Sequence, residues 1–227
     1  MNIDKVMIAG IDNNTPITEL ERLTEQYPFV EWGVLFSKHK MGQKRYPSLD
    51  KIQEFCDASI GYMSAHFCGA YPREILEKGE FNEVVKLNSK FDSIQLNYNF
   101  SRSKKWDLGN LTDLLKITDS VILQQNKSNE SYLKSILYSG QIRYLYDASG
   151  GRGTEIKHIQ TPKWLNYTGY AGGIKTHNVE AICRKIINNK DNRKVWIDLE
   201  SGARDEFNNF SIQNAEKILE ISSKFIN

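Results

Sequence analysis

A closed eight-stranded α/β barrel is the fold that this sequence predicts, on three observations. Short apolar runs alternate with amphipathic stretches along the chain, the pattern of parallel strands joined by helices. The chain has 227 residues, close to the roughly 250 of a (β/α)8 barrel. The first apolar run is not followed by a Gly-x-Gly-x-x-Gly turn, which removes the main support for an open doubly wound sheet. No linker, low-complexity segment or Pro/Ser-rich break interrupts the alternation, so one barrel domain over residues 1–227 is expected.

The first strand is read at Val6–Ile11, followed by the turn Asp12-Asn-Asn-Thr-Pro16 and a helix through Leu20, Leu23 and Tyr27. The second is Glu31–Phe36, and its helix starts near Pro47 with Leu49, Ile52, Phe55 and Cys56 on one face. The third is Ser59–Phe67, with a long helical region from Pro72 to about Phe91. Ser93–Phe100 is the fourth, with a short helix at Leu111–Ile117. Ser120–Gln124 is the fifth, leading to a helix through Tyr132, Leu133, Ile136 and Leu137 that stops at Gly140, a residue suited to a helix C-terminus. Ile142–Tyr146 is the sixth, and Thr154–Pro162 is read as its short helix. The seventh and eighth strands lie in Asn166–Ile174 and Lys194–Gly202. Val179, Ile182, Cys183, Ile186 and Ile187 form a 3.6-period stripe after the seventh, and Ile212, Ala215, Ile218, Leu219 and Phe225 form another after the eighth.

Forty per cent hydrophobic and 26% charged residues are ordinary for a soluble globular chain, and the net charge is +2 with scattered basic residues. Neither nucleic acid nor membrane is therefore expected as the main partner. No apolar run approaches the roughly 20 residues of a membrane span, and Met-Asn-Ile-Asp-Lys carries no signal-peptide core, so a cytoplasmic location is expected. Cys56, Cys68 and Cys183 are odd in number and widely spaced, which argues against a disulfide framework and a structural zinc site. His39, His158 and His177 have no partner at metal-ligand spacing, so neither metal nor cofactor is expected. Oligomeric state is not legible.

The turns after the last two strands carry the clearest chemical signal. Ala171-Gly172-Gly173 and Ser201-Gly202 are small enough to let a ligand reach their backbone amides. Two such turns side by side, each read as opening a helix, point N–H groups at one anion. In barrels of this type the phosphate site is formed by the loops after strands seven and eight. A phosphorylated small molecule is therefore the expected ligand. Asp147 ends the sixth strand before Gly150-Gly151-Arg152-Gly153, where a carboxyl group can serve as a general acid or base or simply cap the turn. Lys38, Lys40, Lys44 and Arg45 form a basic stretch after the second strand, read either as reaching over the barrel mouth or as a solvated loop.

Asp147 with its glycine loop, Tyr170-Ala-Gly-Gly-Ile174 with Asn178-Val179, and Ile197-Asp-Leu-Glu-Ser-Gly202 resemble successive motifs of phosphoribosylanthranilate isomerase, a (β/α)8 barrel of tryptophan biosynthesis. Gln95-Leu96 and Lys44-Arg45-Tyr46 resemble further motifs, more faintly. That family catalyses an Amadori rearrangement of an aldose to a ketose. The resemblance implies Asp147 as general acid and Arg45 as partner of a substrate carboxylate. It also implies Gln95, Gly151 and Gly153 around the substrate, and Gly172, Gly173, Ser201 and Gly202 around the phosphate.

The resemblance departs at the first strand. The family reads Lys-Ile-Cys-Gly-Ile there, with the cysteine as general base, and this chain has Met7-Ile8-Ala9-Gly10-Ile11. Alanine cannot take a proton. A base recruited from elsewhere would come from His66, Asp12 or Cys68, while Lys127 reads as a solvated loop lysine. Asn97-Tyr98 also stands where the family has His-Gly. Three functions stay open: an aldose–ketose isomerase with a non-cysteine base, a catalytically inactive phosphosugar-binding protein, and a lyase or epimerase acting on another phosphosugar.

Overall fold

The computed structural model describes residues 3–87, 89–98, 106–125, 133, 140–147, 167–188 and 194–226. The elements run β1 (Ile3–Ala9), α1 (Ile17–Gln26), β2 (Val30–Phe36), α2 (Leu49–Asp57), β3 (Tyr62–Phe67), α3 (Tyr71–Lys78), α4 (Asn82–Leu87), β4 (Ser93–Leu96), α5 (Leu108–Ile117), β5 (Val121–Gln125), β6 (Ile142–Asp147), β7 (Tyr167–Ala171), α6 (Val179–Ile187), β8 (Lys194–Leu199) and α7 (Ile212–Ser223). Every neighbouring pair of strands is parallel, and β8 pairs back onto β1, so the sheet closes into a barrel in chain order. The sequence-based fold class is the observed one.

Some boundaries differ from the sequence reading. Strand β1 starts at Ile3, because Ile3 pairs with Val195 and its N–H donates to the Phe225 carbonyl. Strand β3 starts at Tyr62 and β4 stops at Leu96. The long helical region after β3 is two helices. Gly79 ends α3 in the left-handed conformation (φ 68°), where its N–H reaches the carbonyls of Glu74 and Ile75. The helix expected before Gly140 lies outside the described residues apart from buried Leu133, and so does Thr154–Pro162.

Apolar residues on the outer faces of the strands pack under the helices in the main core: Val6, Ile8, Trp32, Val34, Ile94, Val195 and Ile197 meet Leu20, Leu23, Phe55, Leu114, Ile182, Ile186, Ile218 and Leu219. Side-chain caps fix several helix starts. Ser48 accepts from the Lys51 N–H, Asp107 from Gly109 and Ser211 from Asn214.

The inside of the barrel is layered. At the N-terminal end the filling is polar. Arg143 makes a two-pronged ion pair with Glu31 (3.0 and 2.9 Å), Ser93 donates to Glu31 (2.8 Å) with the Ser64 hydroxyl 2.8 Å from its Oγ, and Lys5 sits 3.6 Å from Glu31 over the Tyr62 ring. Burial alone would raise the Glu31 carboxyl, but the adjacent Arg143 guanidinium outweighs it and holds the group well below its usual range. The middle layer is apolar: Met7, Ile122, Leu145 and Trp196. Above it, toward the C-terminal ends of the strands, the interior turns polar again. That upper layer is where barrels of this class do chemistry.

Candidate functional site

Strand register puts two carboxyl groups in one row. Asp147 ends β6 opposite Ala171 of β7, and Ala171 lies opposite Asp198 of β8. Side chains at register partners share a face of the sheet, so both acids face inward with only the methyl of Ala171 between them. Asp147 is 4% exposed and accepts from Gln124 Nε2 at 2.7 Å. Asp198 is 6% exposed, and Gln95 Nε2 lies 3.5 Å from its Oδ2. Burial, reinforced by the negative charges of Glu200, Asp147 and Glu31, pushes the Asp198 carboxyl up to about 8, against the smaller downward pull of Gln95. Asp198 is thus mostly protonated at pH 7, with an ionised fraction that grows as pH rises toward about 8.

The sequence motif Ile197-Asp-Leu-Glu-Ser-Gly202 contains Asp198, but only the inward turn of β8 reveals it as a site residue. Its immediate signal is a carboxylate inside the otherwise apolar run Val195–Leu199.

Gln95 connects Asp198 to the rim. Its Nε2 also donates to Asn97 Oδ1 (3.0 Å), and Asn97 Nδ2 donates to Cys68 Sγ (3.3 Å). The other end of the amide, Oε1, is buried and has no hydrogen-bond partner among the described residues. Burial pushes the Cys68 thiol up to about 11 and the Tyr46 phenol beside it up to about 12, so neither is a ready base near neutral pH.

His66 lies inside the barrel beside the alanine of strand one. A Cβ placed on Gly33 would stand 2.7 Å from Ala9 Cβ and 3.0 Å from His66 Cε1. Its Nε2 is 2.9 Å from Met7 Sδ, and burial drags its pKa down to about 3. An imidazole this hard to protonate is a weak proton acceptor at neutral pH. Its burial does not favour the role of base in which the sequence reading offered it.

Asp12, the other expected base, ties two loops together instead. Its Oδ2 accepts from Arg204 Nη2 and the Phe210 N–H, and its Oδ1 from the Asn14 N–H and Thr15 Oγ1. Four donors fill the acceptor capacity of a carboxylate. Arg204 in turn donates to the carbonyls of Gly10 and Asn208.

The two glycine turns do come together. Gly172 (φ 127°) and Gly173 (φ 60°) take backbone conformations closed to most side chains. Asn178 holds the turn by donating to the Gly173 carbonyl (2.9 Å) and accepting from the Lys175 N–H (2.7 Å). Gly202 packs against this turn so closely that a Cβ would sit 2.0 Å from the Ile174 carbonyl oxygen. Its lack of a side chain is therefore demanded by the neighbouring backbone. Among the described residues, the amides of Gly172, Gly173, Ser201 and Gly202 donate to no acceptor. One expectation changes: β8 runs into a single 3-10 turn, Ser201–Ala203, rather than straight into α7. Gly151 and Gly153 lie outside the described residues.

The basic stretch after β2 crosses the mouth to the β8 side. Lys44 Nζ donates to the Phe207 carbonyl (2.8 Å), and Arg45 Nη1 to Glu200 Oε1 (2.7 Å). Lys38 pairs with Glu74 (2.7 Å), and Lys40 lies over the Tyr46 ring. Among the described residues no group of three or more His, Cys, Asp and Glu side chains is placed to hold a metal ion. No described helix is long and apolar enough to cross a membrane.

No protein-family profile matches the chain. No curated protein matches it either. Solved structures do. Phosphoribosylanthranilate isomerase from Thermotoga maritima superposes with a TM-score of 0.62 at 14% identity, covering 97% of this chain and 99% of that one. The Thermus thermophilus enzyme gives 0.62 at 13% identity, over 97% and 98%. A phosphoribosylanthranilate isomerase solved in complex with reduced 1-(o-carboxyphenylamino)-1-deoxyribulose 5-phosphate gives 0.62 at 15%, over 98% and 100%. At such identities the likeness is one of fold, and it runs the length of the barrel.

Proposed function

We propose that this barrel binds a phosphorylated sugar-type ligand at its C-terminal mouth and rearranges it by an aldose–ketose isomerisation. The phosphate is received by the amides of Gly172, Gly173, Ser201 and Gly202. Asp147 is the general acid, as the motif resemblance implies. Asp198 is the general base.

The observation that carries this reading is the placement of Asp198. It stands on β8, opposite Met7 and so beside the strand that carries Ala9. Its pKa of about 8 is close to the roughly 8.5 of the thiol that the resembled family has at Ala9. A base must be ionised to act and works best when its pKa lies near the working pH, so the carboxylate form of Asp198, populated as pH rises toward about 8, can take the proton that alanine cannot. The open amides and the phosphosugar held by a structural neighbour support the ligand class. The absent thiol at Ala9 favours one rival, a binding protein that has lost turnover.

The test has two stages. Thermal shift against ribose 5-phosphate, phosphoribosyl amines and inorganic phosphate should single out a phosphosugar, since a ligand at 100 times its Kd adds about 2.7 kcal/mol. Incubation of that ligand in heavy water, followed by NMR, should then show exchange of its C2 proton. Asp198→Asn should stop the exchange while leaving binding within about threefold. Binding without exchange in the native protein identifies the binder. Absence of any phosphosugar response removes the reading.

A further inference from the structure

Arg45 is the side chain that the motif resemblance assigns to a substrate carboxylate, yet three of its five N–H donors are already engaged from within the protein. Nε and Nη2 both donate to Asn208 Oδ1 (3.0 and 2.7 Å), which occupies one edge of the fork. Nη1 donates to Glu200 Oε1 at 2.7 Å, which occupies half of the other. A carboxylate needs two parallel N–H donors on one edge to be held in the bidentate way that makes arginine its preferred partner. Asn208 takes one edge, and Glu200 competes for the other.

Displacing Glu200 would not restore the fit. Its carboxylate sits among Tyr46, Cys68 and Asp198, all of which feel its negative charge. An incoming carboxylate would meet the charge of Glu200, while among the described cations Lys38 is engaged with Glu74, Lys44 with the Phe207 carbonyl and Lys40 with the face of the Tyr46 ring. A different group in the mouth does want a partner. Gln95 Oε1 is buried and unpaired, and Gln95 as a whole is 2% exposed. Such an acceptor is stabilised by an N–H or O–H donor.

We propose that Glu200 and Asn208 set the specificity of the mouth against carboxylates, so that the ligand is a phosphosugar whose non-phosphate half is uncharged and carries hydroxyl or amide donors for Gln95. This rests on the phosphosugar reading above. Glu200 supplies internally the negative charge that a carboxylate-bearing substrate would otherwise bring to Arg45.

The experiment is a calorimetric comparison of three probes: ribose 5-phosphate, reduced 1-(o-carboxyphenylamino)-1-deoxyribulose 5-phosphate, and its counterpart with an unsubstituted phenylamino group. The native protein should bind the carboxylated compound at least tenfold more weakly than the unsubstituted one. Glu200→Gln should close most of that gap and leave ribose 5-phosphate within about threefold. Equal affinity of the native protein for the matched pair, equal failure to bind both, or a gap untouched by Glu200→Gln overturns the proposal. If ribose 5-phosphate itself fails to bind, the phosphosugar reading falls and takes this inference with it. If it binds and the pair is not discriminated, only this inference falls.

Discussion

Replacing Asp198 with asparagine should flatten the dependence of stability on pH. The folded protein holds this carboxyl at about 8 against a usual 3.8, so the folded state binds the proton more tightly than the unfolded chain does. The resulting stabilisation is complete below about pH 4 and is lost as pH rises through about 8. Each tenfold step in proton affinity is worth about 1.4 kcal/mol, which puts the whole effect at about 6 kcal/mol and the part between pH 5 and pH 9 at about 4 kcal/mol. Asparagine keeps an amide oxygen where Gln95 Nε2 donates, and it has no proton to lose. Urea unfolding of both proteins at pH 5 and pH 9 isolates the effect, because titrating groups that do not interact with Asp198 cancel in the double difference. The native protein should lose about 4 kcal/mol more than Asp198→Asn over that interval. Parallel pH profiles for the two proteins would refute the burial argument, and with it the assignment of Asp198 as a base tuned to neutrality.

Arg143→Met strands the Glu31 carboxylate inside the barrel and should cost about 3–5 kcal/mol by urea unfolding, whereas the double variant Glu31→Gln/Arg143→Met should recover most of the loss. Gly202→Ala places a methyl 2.0 Å from the Ile174 carbonyl oxygen, so the two glycine turns must part. That change should cost about 1–3 kcal/mol and weaken ribose 5-phosphate binding more than tenfold in calorimetry. Gly140→Ala, which meets nothing within 4 Å, is the matched control and should change stability by less than about 0.5 kcal/mol.

Much of the architecture was legible because each strand and helix announces itself locally. The stripe Val179, Ile182, Cys183, Ile186 needs no distant partner to be recognised as one face of a helix. The glycine turns were legible for the same reason: small residues at strand ends leave a mark in the sequence whatever lies beside them. The break between α3 and α4 at Gly79 was missed, since a glycine within a helical pattern signals a helix end only when the chain beyond it turns away.

The chain by itself determined a closed parallel barrel and two adjoining small-residue turns, because periodicity and residue size are properties of short segments. Only the tertiary structure decided which titratable groups are available. Asp12 reads as a candidate base or a turn residue until Arg204, about 190 residues away in the chain, is found paired with it. His66 reads as a neutral-pH base until its burial against Met7 is seen. Arg45 reads as a carboxylate receptor until Glu200 and Asn208 occupy it. Asp198 reads as one residue of a motif until β8 turns it inward beside Ala171 and the barrel withholds the water that would keep it ionised. Proton affinity and pairing depend on solvent and on neighbours brought together across the barrel, and neither is written at any one position in the chain.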